Sequence, residues 1–153
     1  MTDQFIKDLQ RGRKAEEFFL AILQREYPRA YLMDGDFPFF DIFIPERRFR
    51  VEVKCDYLSK KYKNLAIECE SREEPSGIEV TTADFWAICY FSNSNDAWLF
   101  GLIPTEELKG LTENCRIAKA GDGKTSRVYQ LPVFKFERNP FLKIYPLNNE
   151  HTA

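Results

Sequence analysis

Two carboxylates and an ammonium group stand at spacings that a β-hairpin would gather into one place: Asp41, and then Glu52-Val53-Lys54. Each lies in an apolar, strand-like run, Phe39-Phe40-Asp41-Ile42-Phe43-Ile44 and Phe49-Arg50-Val51-Glu52-Val53-Lys54, and Pro45-Glu46-Arg47-Arg48 between them reads as a short turn. With those four residues as the loop, Ile44 pairs with Phe49 and Asp41 falls opposite Glu52. A two-residue loop keeps that parity, whereas a three- or five-residue loop sends the two carboxylates to opposite faces. Directly opposed side chains lie about 5 Å apart, where two unit charges repel by roughly 3 kcal/mol at an effective dielectric near 20. Such a pair asks for a cation. Lys54 is two residues beyond Glu52 and shares its face, while Val51 and Val53 point the other way into a core. One lysine neutralises two carboxylates only in part, and oxygen donors of this kind suit Mg²⁺, which keeps several waters and recruits phosphate oxygens. The competing interpretation is a solvated hairpin face whose Glu–Lys pair has little energetic consequence.

The elements that must position this group follow from the rest of the chain. Residues 3 to 27 predict one long helix or two short ones, with Phe5, Ile6, Leu9, Ala15, Phe18, Phe19, Ile22 and Leu23 at helical spacing, a break at Gly12 and a stop at Pro28. Arg11, Arg13 and Lys14 form a basic cluster on the exposed side. After the hairpin, residues 57 to 63 are polar and lysine-rich. Strand alternation resumes at Leu65-Ala66-Ile67-Glu68-Cys69-Glu70, with Leu65, Ile67 and Cys69 on one face and Ala66, Glu68 and Glu70 on the other, followed by a charged turn over 71 to 77. Thr81-Thr82-Ala83-Asp84 has the form of a capping box and predicts a short helix from Phe85, with Asp84 as a helix-capping residue. Trp86 to Phe91 then runs as a buried helix end or a strand, Ala97 to Ile103 as a strand, Glu106 to Leu108 as a short helix, and 115 to 136 as a last hairpin around Gly121-Asp122-Gly123. The order predicts a mixed α/β domain over 1–147 with a polar tail over 148–153.

Composition narrows the chemistry. At 153 residues, 44% of them apolar and fourteen of them Phe, the chain can bury a core without disulfides. Cys55, Cys69, Cys89 and Cys115 are widely spaced with no Cys-x-x-Cys pair, which reads as reduced core thiols in a cytoplasmic protein. The sequence opens on no charged-then-apolar leader, and no apolar run approaches a membrane span. The only histidine is His151, which excludes Ser-His-Asp and Cys-His catalysis and His-rich metal sites. A net charge of −2 counts against an undifferentiated nucleic-acid coat protein, though not against a local basic surface. What remains is chemistry on carboxylates, lysine and a metal.

Three parts of the chain together resemble the PD-(D/E)xK nuclease superfamily, whose restriction-endonuclease-like fold includes small Holliday-junction resolvases and phage nucleases: Gly12-x-x-Ala15-Glu16, Asp41, and Glu52-Val53-Lys54. The resemblance covers roughly residues 10 to 90. It implies an α/β restriction-endonuclease-like core, a central mixed β-sheet flanked by helices. It further implies Mg²⁺, with Mn²⁺ as a substitute. In that case Glu16 is the accessory carboxylate, with Glu17 as its competitor, Asp41, Glu52 and Val53 are the metal set, and Lys54 is the catalytic lysine that orients the attacking water. The sequence departs from the pattern in having Phe40, not proline, before Asp41; the nearest proline is Pro38. The segment from Glu68 through Gly77 to Asp84 and Trp86 also looks like the stretch that follows the core motif in some phage-type members, with Glu68 and Glu70 as extensions of the acidic cluster.

The implied activity is DNA endonuclease cleavage, structure-directed on branched or junction DNA, since a compact domain leaves little room for a recognition module. A homodimer would cut two strands. A restriction-type or homing-type enzyme reading sequence with the late hairpin, and a nuclease-fold module that binds without cutting, are the alternatives. Arg13, Lys14, Lys60, Lys61, Lys63 and Lys124, with Lys119 and Arg127, are the expected contacts to DNA phosphates. Gly121 to Ser126 ends like a P-loop but has Ala118 where the leading glycine belongs, and reads as a hairpin tip. Phe39, Tyr57 and Tyr62 are expected to pack rather than to stack on bases.

Overall fold

The computed structural model describes residues 2–147; the polar tail over 148–153, with His151, lies outside the described residues. The chain opens with two helices, α1 (Asp3–Leu9) and α2 (Lys14–Leu23), parted at Gly12, whose φ of +58° is the left-handed conformation glycine adopts without a Cβ penalty. Ala15, Phe19, Ile22 and Leu23 form the buried stripe of α2, so Glu16 sits at the border of that stripe while Glu17 is exposed. There follow β1 (Tyr31–Leu32), β2 (Ile42–Ile44), β3 (Phe49–Cys55), the single turn α3 (Ser59–Tyr62), β4 (Asn64–Ser71) and β5 (Glu74–Pro75). The second half contains β6 (Phe85–Ser92), β7 (Ala97–Pro104), α4 (Thr105–Thr112), β8 (Arg116–Ala120), β9 (Ser126–Pro132), α5 (Val133–Glu137) and β10 (Lys143–Pro146).

A six-stranded mixed sheet runs in the order β1-β2-β3-β6-β7-β10, with β3 and β6 parallel and the other neighbours antiparallel. A second, antiparallel sheet runs β5-β4-β9-β8. The alternation along β6 shows how the layers stack. Ala87, Cys89 and Phe91 join Phe19, Ile22 and Leu23 of α2 and Val51 and Val53 of β3 in one core. Trp86, Ile88 and Tyr90 point the other way, onto Leu65, Ile67 and Cys69 of β4 and Leu108 and Phe136 of α4 and α5. The central sheet is therefore covered by helices on one face and by the second sheet with two short helices on the other, and β6 is buried on both faces. Only one face has helices alone, where the sequence predicts helices flanking the sheet.

The hairpin forms in the expected register, Ile44 with Phe49 and Ile42 with Val51 across the Pro45–Arg48 turn, but β2 is shorter than predicted and starts after Asp41. The helix predicted from Phe85 is replaced by β6. Asp84 caps nothing helical: its carboxylate accepts from Arg50 N–H at 2.8 Å and from the Arg50 guanidinium at 3.1 Å twice, clamping the start of β6 to β3. The helix over Glu106–Leu108 extends to Thr112 and includes Gly110, and the last hairpin ends at Pro132, where α5 takes over. A bulge in β4 between Glu68 and Glu70 breaks its ladder with β9. All four cysteines are free, Cys69 and Cys89 buried. Among the described residues no helix is long and apolar enough to cross a membrane.

Candidate active site

Asp41 stands immediately before the first residue of β2. Its main-chain N–H donates to Val51 O at 2.9 Å and its carboxylate accepts from Val53 N–H at 2.7 Å, so that it brackets Glu52 between its two contacts. Its carbonyl in turn accepts from Met33 N–H at 2.9 Å, which ties the residue to the connection after β1. Glu52 and Lys54 alternate with Val51 and Val53 and pair in register with Trp86 and Ile88, which turns them toward the second sheet. Within one residue of an extended strand, N–H and C=O point to the same edge. The Val53 N–H reaches Asp41, so the Val53 carbonyl projects to that same open edge.

Four charged groups converge here from both layers. Lys54 Nζ is 3.3 Å from Glu52 Oε2, with 48% of the lysine side chain and 19% of the glutamate accessible. Glu16, from α2 in the helical layer, lies against Asp41 and within the field of Glu52. Burial first, then the Asp41 carboxylate beside it, pushes the Glu16 carboxyl up to about 7; the Arg13 guanidinium, 3.7 Å away, works in the opposite direction. Burial likewise lifts Glu52 to about 7, with Asp41 adding to the rise and Lys54 opposing it. Burial disfavours the Lys54 ammonium, but Glu52, Asp41 and Glu68 together outweigh it and hold its pKa above the ordinary value. Of the two acidic residues of β4, Glu68 borders Lys54 and accepts from the Ser76 hydroxyl at 3.0 Å, whereas Glu70 leaves the cluster to pair with Arg127 at 3.6 Å.

The donor set of Asp41, Glu52 and the Val53 carbonyl is made of hard oxygens, of the kind that hold Mg²⁺ or Mn²⁺. Burial first, and the neighbouring Asp41 carboxylate with it, raises the proton affinity of Glu16 and Glu52, and a bound cation would lower it again. As the side chains lie, Glu52 is turned to Lys54. Among the described residues no group of three or more His, Cys, Asp or Glu is disposed around one point.

A cleft of about 360 Å³ opens beside Lys54 and Glu52, walled by Phe39, Val80, Thr81 and Thr82 and floored by Trp86. Its far wall depends on Gly77, at φ +55°, where a Cβ would overlap the Glu68 carbonyl. The expected DNA contacts are dispersed. Arg13 is turned inward, donating to Met33 O at 2.6 Å; Lys14 is exposed at the start of α2. Lys60 is bonded to Asp3 at 2.9 Å and lies 4.8 Å from the Phe91 ring centroid, in a different cleft. Lys61 lies over Tyr62 and Lys63 ends α3 at φ +59°. Lys124 joins Arg72, Lys119 and Arg127 in a separate concavity at the hairpin tips. Of the aromatics expected to pack, Tyr57 does so, stacked on Trp98 at 6.1 Å, while Phe39 and Tyr62 are more than half exposed. That exposure, and the inward turn of Arg13, have no signature in the sequence pattern. No protein-family model matches the chain, and no curated protein matches it.

Proposed function

We propose that this protein is a metal-dependent DNA endonuclease acting through Glu16, Asp41, Glu52 and Lys54. The observation that supports it is that Asp41 and Glu52 act together on the Lys54 ammonium while Glu16, from α2, lies against Asp41, just ahead of the first residue of β2. In this reading Asp41, Glu52 and the Val53 carbonyl hold Mg²⁺ or Mn²⁺. When bound, the ion polarises the scissile phosphate and lowers the pKa of a coordinated water. Lys54 orients the attacking water and steadies the charge developing on the phosphate oxygens. Glu16 is the accessory carboxylate, and its high proton affinity lets it accept a proton near neutral pH. The reading takes the mixed sheet as the restriction-endonuclease-like core that the sequence resembles, with branched or junction DNA as the proposed substrate class and a homodimer as the proposed unit that cuts both strands. The experiment is incubation of supercoiled plasmid and of a four-way junction with the protein, in Mg²⁺ and in EDTA. Products that need Mg²⁺ support the reading, and intact DNA in both conditions removes it.

A second reading is a nuclease-fold module that binds DNA without cutting. The same incubation separates the two.

A further inference from the structure

We infer that the cleft beside Lys54 receives one unpaired nucleobase of the strand being cut, stacked on Phe39, so that the substrate is DNA with an unpaired nucleotide next to the scissile phosphate. This rests on the endonuclease reading for its reaction, not for its binding. Phe39 and Val80 are 54% and 56% exposed on the walls of the cleft, so each leaves more than half of an apolar side chain uncovered there. Phe39 is nonetheless held in place: its carbonyl accepts from the Thr82 hydroxyl at 3.2 Å and its ring meets Phe37 edge-on at 5.2 Å. A fixed, solvent-facing ring is a stacking surface. At about 360 Å³ the cleft falls in the range of small-ligand sites, roughly 300–1,000 Å³.

The polar groups decide what kind of ligand fits. Thr81 Oγ1 accepts from Ala83 N–H at 3.1 Å and from the Trp86 indole N–H at 3.3 Å, which occupies both lone pairs and leaves its own hydrogen as a donor at the cleft. Glu52 and Glu68 line the same cleft and offer acceptors. Lys54 lines the cleft too and is held by both carboxylates, so its charge is already matched and a second phosphate finds no free cation; a neutral, flat occupant provided with both donors and acceptors fits. A nucleobase has that chemistry. In an intact duplex the base is stacked and paired and cannot enter; in a bulge, a flap or an opened junction arm it can.

The test is binding by fluorescence anisotropy in EDTA, so that hydrolysis does not compete, to a fully paired duplex and to the same duplex carrying one bulged 2-aminopurine. Expected are tighter binding of the bulged DNA, on the order of ten-fold, and quenching of the 2-aminopurine. Phe39→Leu removes both effects with duplex binding unchanged, and Phe39→Trp retains them, which separates lost stacking from lost folding. Equal affinity for the two DNAs, or a bulge preference that survives Phe39→Leu, overturns the inference. Mg²⁺-dependent cutting of DNA without the bulge preference removes this inference and keeps the nuclease; a bulge preference without cutting does the reverse.

Discussion

Replacing Asp41 by Asn should abolish Mg²⁺-dependent cleavage and at the same time stabilise the metal-free protein at alkaline pH. The amide oxygen can still accept from Val53 N–H, the 2.7 Å bond that Asp41 makes now, so the main-chain geometry is kept and only the charge is lost. Glu52 is the better measure of what that charge does, because 19% of its side chain is accessible. Its carboxyl rises from an ordinary 4.5 to about 7, and at about 1.4 kcal/mol per tenfold the whole perturbation is about 3 kcal/mol. Burial is the first cause and Asp41 a later one, so Asp41 accounts for a smaller share than burial does. Glu16, where Asp41 is the next cause after burial, adds in the same direction. The sign follows from linkage: both carboxyls bind protons more tightly folded than unfolded, so their contribution is full below pH 4.5 and is lost as pH rises through about 7. The lost Asp41–Lys54 attraction works against this at both pH values, and Asp41→Asn should still melt a few degrees above wild type at pH 8 in EDTA, and by much less at pH 5. Thermal unfolding followed by circular dichroism at both pH values reads this difference. A variant that melts below wild type at pH 8, or whose gain is the same at both, would refute the crowding of charge on which the site is built.

Other outcomes follow from neighbouring features. Binding of Mg²⁺ at pH 7 should release up to about one proton, since Glu16 and Glu52 both titrate at about 7; calorimetry in two buffers of different ionisation enthalpy counts it, and zero release contradicts the ligand assignment. Asp84→Ala removes three hydrogen bonds to Arg50 and should cost about 1–3 kcal/mol in urea unfolding. Gly77→Ala must relieve both a left-handed φ and an overlap with the Glu68 carbonyl, and should lower stability by more than about 1 kcal/mol.

The mutual placement of Asp41, Glu52 and Lys54 was more legible in the sequence than the fold around them. Alternation along Phe49–Lys54 and the four-residue turn set which face Glu52 and Lys54 share, and Gly12 marked the helix break that places Glu16. Strand β6 was hidden twice. Its run Trp86–Phe91 is apolar on both faces, which periodicity cannot tell from a buried helix. The capping pattern before it names acceptors without naming donors: Asp84 takes the Arg50 groups across the sheet in place of helix amides. Strands β1 and β10 are short and exist through pairing with β2 and β7, information that no local window holds. The bulge at Glu68–Glu70 sends one glutamate to Lys54 and the other to Arg127, where simple alternation keeps them together. Phe39, Lys60 and Arg13 differ from expectation for one reason: exposure and ion pairing are set by elements far away in the chain, α1 in the case of Lys60.

Single-turnover cleavage of a labelled four-way junction in Mg²⁺, with wild type and Lys54→Ala compared at saturating protein, tests the central claim most directly. Expected are Mg²⁺-dependent cutting by wild type and a loss of at least about 100-fold in the variant, with junction binding retained. Wild-type protein that leaves the junction whole, or a Lys54→Ala variant that cuts at the wild-type rate, would contradict it.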